Sequence, residues 1–148
     1  MRYFLGFAVV FMARLAYSGL VHGPLFLHRF VYRVHAEQMR MNPSFSALVL
    51  AELLISLLLV LAYHLWRGRG AAVGGGAGLG KGALFGGVAG LYLYLPQNLL
   101  TYLLFVPFNA SMFWSWFLAG LGSCVLSGLL LAALWPAAQP PPVQPGRA

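Results

Sequence analysis

The sequence predicts an all-α fold, a four-transmembrane-helix bundle with one interfacial amphipathic helix. Four apolar runs, 3–21, 45–65, 83–106 and 110–135, take up most of the 148 residues. Each is close to the roughly 20 residues that about 30 Å of hydrocarbon demands of a helix. Hydrophobic residues make up 61% of the chain and charged residues 7%, with only Glu37 and Glu52 acidic. That leaves too little polar surface for a water-soluble domain of this size, and the segments between runs are too short to bury a core of their own.

Each run begins or ends in the turn chemistry a helix requires. The first, 3–21, is closed by Pro24. Arg14 falls where a signal peptide would be purely apolar and no small-residue cleavage site follows, so this run reads as a retained helix. The segment 25–40 sets Leu27, Phe30, Val31 and Val34 on one helical face and His28, Arg29, Tyr32, Arg33 and Arg40 on the other, the pattern of a helix lying in the interface. Arg33 and Glu37 stand four apart and are placed to pair. Asn42 and Pro43 supply an N-cap and first position for the run 45–65. A Gly-rich link, 70–82, leads to the run 83–106, Pro107 and Asn109 separate it from 110–135, and Pro136 opens a Pro-rich tail, 136–148, expected to be disordered and solvated.

Four spans in up-down order place Tyr63, Trp66 and Trp135 at one membrane face and Trp114 and Trp116 at the other, where amphipathic rings prefer headgroup depth. The face shared by both termini carries Arg2, Arg67, Arg69, Lys81 and Arg147, against Arg29, Arg33 and Arg40 opposite. The excess puts both termini in the cytoplasm and the protein in the cytoplasmic membrane. The net charge of +7 is spread over helix ends rather than gathered in a stripe. The expected partners are therefore the lipid bilayer and its anionic headgroups, not nucleic acid.

Small residues define packing faces. Gly82, Gly86 and Gly90 recur every four residues and face a row of Gly120, Cys124 and Gly128 in the last run. They predict a close contact between the third and fourth helices, with a seam to a second copy or to a larger membrane complex, or a lipid groove, as the alternative.

Polar residues gather at one depth. Arg14, Tyr17, Ser18 and His22 share a face of the first run, Glu52 and Ser56 a face of the second, and Gln97, Asn98 and Thr101 follow Pro96 in the third. At 1.5 Å per residue from the face bearing the termini, Arg14 lies about 16 Å deep, Glu52 about 20 Å and Asn98 about 22 Å. A charge at that depth is too costly to stand alone, so Arg14 and Glu52 are expected to pair, as a lock between helices or as part of a conduction or binding path. Pro96 deprives the Tyr92 carbonyl of its helical donor, and Gln97 or Asn98 is expected to help satisfy it.

Other chemistry is poorly served. Gly75 to Gly82 spells the first half of a phosphate-binding loop, but Gly82 stands where a Ser or Thr should bind magnesium, no strand precedes it, and the chain has no Asp. His28 and His35 are seven apart, too far along a helix for shared ligation, so no metal or other cofactor is expected. No Ser or Cys has a His and a carboxylate at matching depth outside the Arg14 and Glu52 layer. Cys124, the lone cysteine, allows no intrachain disulfide and reads as a packing residue.

His22-Gly23, the link ending Met39-Arg40-Met41, the Gly82-x3-Gly86-x3-Gly90 start of the third span and a small-residue fourth span resemble small bacterial four-helix integral membrane proteins classed as a domain of unknown function. The resemblance covers roughly residues 5 to 135. It implies a four-helix fold and a cytoplasmic-membrane location, and it brings no activity and no site residues. The expectation is a non-enzymatic structural or accessory component associating through its Gly-rich faces. The alternative is a small transporter or channel whose path is lined by Arg14, Glu52, Gln97 and Asn98.

Overall fold

The computed structural model describes residues 2–22, 45–70, 78–104 and 110–135. Among them the chain forms α1 (Arg2–His22), α2 (Phe45–Gly70), α3 (Leu79–Leu104) and α4 (Ala110–Leu134), with no strand. The interfacial helix expected at 25–40, most of the Gly-rich link and the tail 136–148 lie outside the described residues.

Neighbouring helices run antiparallel. Tyr3 stands beside His64 and Arg14 beside Glu52, which sets α1 against α2. Gly82 meets Gly128, and Tyr102 meets Phe113 at the far end, so α3 and α4 are in contact along most of their length. Gly6 lies under Trp135 and Arg14 reaches Cys124, which seats α1 on α4. Helices α1, α2 and α4 are long and apolar enough to cross a membrane. The composition of α3 is diluted by its glycines and by Pro96, Gln97 and Asn98, although its 26 residues reach about 39 Å.

The distribution of polarity is the reverse of a soluble protein's. Leu50, Leu54, Leu57, Leu58, Leu61 and Leu65 of α2 all face outward, while Arg14 and Ser56 are 0% exposed. Such a surface suits hydrocarbon, and the polar groups it surrounds must satisfy one another.

Two boundaries differ from the sequence expectation. Helix α2 continues to Gly70, and α3 starts at Leu79, so residues 79–82 of the expected link are helical. The Gly78 carbonyl accepts from Lys81 and Gly82, opening the helix. Tertiary contact offsets the entropy that glycine loses there: Gly82 lies directly on the Gly128 backbone and the Ala132 methyl. Trp66 and Trp114 are exposed, while Tyr63 is 2% exposed, turned inward against Phe85, Trp66 and Trp135. A phenol has enough apolar surface to pack well in such a cluster.

Candidate functional site

Arg14 sits near the middle of α1, fully buried, and its guanidinium is shared out among the other three helices. Nε donates to Glu52 Oε2 of α2 at 2.8 Å, Nη2 to the Tyr94 hydroxyl of α3 at 3.0 Å, and Nη1 to Cys124 Sγ of α4 at 3.8 Å. The other Glu52 oxygen, Oε1, accepts from Ser18, one turn along α1. Fixed fork geometry is what lets one side chain do this, and no lysine would reproduce it. Both carboxylate oxygens and all three guanidinium nitrogens thus have partners, as burial in low dielectric requires.

Local geometry delivers each group. Ser56 returns its hydroxyl to the Glu52 carbonyl at 2.6 Å, so that pair shares a face and turns its own polarity back on the helix. Gly120 provides room for Tyr94, whose ring lies across it, and Gly122 provides room for the Tyr17 hydroxyl. Toward the end that carries Trp135, the cluster is sealed by Val10, Leu59, Val60, Phe85 and Leu131, all buried.

On the other side the bundle opens. Between α2 and α3 lies a cavity of about 230 Å³, walled by Glu52, Ser18, Tyr17, Tyr94, Asn98 and Ser123 among others. Ala51 and Gln97, both exposed, stand at its mouth. The Ser123 hydroxyl, in a residue 3% exposed, faces the cavity without a hydrogen-bond partner. Among the described residues, the buried apolar residues beyond Arg14 close the cavity on that side.

No family model, curated protein or solved structure matches this chain. Its chemistry therefore rests on the residues themselves.

The structure brings together Arg14, Ser18 and Glu52, and it sets Tyr17, Gln97 and Asn98 around the cavity beside them. Thr101 stands apart, its hydroxyl bonded to the Gln97 carbonyl at 2.9 Å. The His22 side chain lies outside what the structure describes. The Asn98 amide does not serve Tyr92; it donates to the Tyr94 carbonyl at 2.8 Å. A side chain on a helix reaches back one turn, and Tyr92 is six residues away. Helix α3 runs through Pro96 unbroken.

Two residues were missed at the sequence level, Tyr94 and the polar use of Cys124. The signal for Tyr94 was present, since Gly82, Gly86, Gly90, Tyr94 and Asn98 form one four-residue row. Where the row stops being glycine, the Tyr94 ring takes the space over Gly120. Among the described residues no three His, Cys, Asp or Glu side chains gather as a metal site would need.

Proposed function

We propose that this chain is a small, non-enzymatic multi-pass membrane protein that holds a small molecule in the cavity between α2 and α3. The observation that carries this reading is the cavity itself, about 230 Å³, walled by Glu52, whose carboxylate is partnered by Arg14 and Ser18, and faced by the Ser123 hydroxyl, which has no partner of its own. A packed structural lock has no use for such a space, because a cavity and an unsatisfied buried hydroxyl both cost stability. The glycines expected to join the protein to a partner are covered within the chain: Gly82, Gly86 and Gly90 lie against α4. That contact supports self-packing rather than assembly.

The same contacts support a reading of four spans. Helix α3 is paired with α4 from Gly82 to Tyr102, so a bilayer that takes up α4 takes up α3 with it. Up-down order then returns both termini to one side, and the cation excess near that side supports a cytoplasmic assignment in the cytoplasmic membrane. Extraction into lipid nanodiscs followed by native mass spectrometry tests the binding reading. The expected result is a chain carrying a small-molecule adduct. A stoichiometric second protein with no adduct would overturn it in favour of an accessory subunit.

A further inference from the structure

Resting on that reading, we propose that the cavity takes the ring of a neutral, carbonyl-bearing molecule dissolved in the lipid phase, a compound of the quinone class. Charge balance is the first constraint. Arg14 and Glu52 neutralise each other, and every nitrogen and oxygen of the two charged groups has a partner, with Ser18, Tyr94 and Cys124 completing the set. A cation or an anion entering the cavity would bring an uncompensated charge into a low-dielectric interior, so the ligand is neutral.

Hydrogen-bond capacity is the second. Tyr94 accepts an Arg14 N–H, which leaves its own proton to donate. The Ser123 hydroxyl has no partner, and the Gln97 amide stands at the mouth. A wall whose spare capacity includes these donors suits acceptors such as ring carbonyls. Tyr17, Tyr94 and Trp116 contribute aromatic surface against which a flat ring stacks.

Size and access complete the argument. The volume of about 230 Å³ falls below the roughly 300 to 1,000 Å³ of sites that enclose a whole drug-sized ligand. It accommodates a ring, and the mouth between Ala51 and Gln97 lets an apolar tail remain among the outward-facing side chains of α2. The ring is bound there without electron transfer.

The test uses the full chain in phosphatidylcholine nanodiscs, titrated in parallel with decylubiquinone, tetraphenylphosphonium and oleate. Tryptophan quenching reads occupancy, and native mass spectrometry reads stoichiometry. Decylubiquinone is expected to bind saturably at one per chain. Ala51→Phe, a change at an exposed position that fills the mouth, should abolish binding, and Ser123→Ala should weaken it about three- to tenfold. Saturable binding of the cation or of oleate, sensitive to Ala51→Phe, with none for the quinone would overturn the ligand class and leave the binding cavity standing. Saturable binding of none of the three would overturn both. Quinone uptake indifferent to both variants would be partition into lipid and would overturn the proposal.

Discussion

Tyr94 lies flat across Gly120, and this crossing is what carries the Tyr94 hydroxyl to within 3.0 Å of the Arg14 guanidinium. A methyl at position 120 would fall inside the Tyr94 ring, so Gly120→Ala must push the ring aside and withdraw its hydroxyl from Arg14. The expected loss is about 1 to 3 kcal/mol of overpacking together with the hydrogen bond to a charged group. In a double-mutant cycle, Tyr94→Leu should absorb most of the Gly120→Ala penalty. Additive losses in detergent unfolding would show that the two positions are uncoupled.

The Arg14 fork makes the ion pair directional. Arg14→Leu strands a buried carboxylate and Glu52→Leu a buried guanidinium, and each is expected to cost about 3 to 5 kcal/mol. Replacing both by apolar residues should recover most of that loss, because neither charge is then left unpaired. Exchanging the two residues should recover little. A glutamate at 14 has no N–H for Tyr94 or Cys124, whereas the native side chain serves α2, α3 and α4 at once. Thermal unfolding of the four variants decides between a simple pair and a four-helix clasp; rescue by the exchange would rule out the clasp.

Neighbouring glycines in α3 should respond in opposite ways. A Cβ on Gly86 meets the Cys124 carbonyl and the Val125 backbone, which cannot move without separating the helices. Gly86→Ala is expected to destabilise by about 1 to 3 kcal/mol. Around Gly87 there is open space, so Gly87→Ala should be neutral or stabilise by about 0.4 to 1 kcal/mol through reduced freedom of the unfolded chain. Equal effects at the two positions in unfolding by sodium dodecyl sulfate would contradict the close contact of α3 with α4.

How much of this was legible in the sequence depends on which physical rule decides each feature. The helices were readable because a bilayer leaves the backbone few alternatives. The Arg14 and Glu52 pair was readable because two opposite charges at one depth have nowhere else to go. The α3 start was misplaced since glycine composition reads as a flexible link, and only the contact of Gly82 with Gly128 shows otherwise. The burial of Tyr63 was not legible, because it depends on Phe85 and Trp135, residues distant in the chain. The cavity had no sequence signature at all. It is bounded by side chains of all four helices, and a space between helices leaves no mark on any one of them.

Ser123 distinguishes a site from a packing defect. Its hydroxyl faces the cavity without a partner, while Ser127, one turn on, donates to the Ser123 carbonyl at 2.7 Å. In the empty protein, Ser123→Ala removes an unsatisfied group and should stabilise by up to about 1 kcal/mol, whereas Ser127→Ala removes a bond already made and should be neutral or cost up to about 1 kcal/mol. A residue kept for folding alone would show no such gain. Thermal unfolding of both variants, with the protein stripped of lipid-soluble molecules and again after their return, separates the two roles. The Ser123→Ala advantage should shrink or reverse once a ligand occupies the cavity, because the hydroxyl then has something to bind. An advantage unchanged by the added molecules would mean that Ser123 takes no part in binding them.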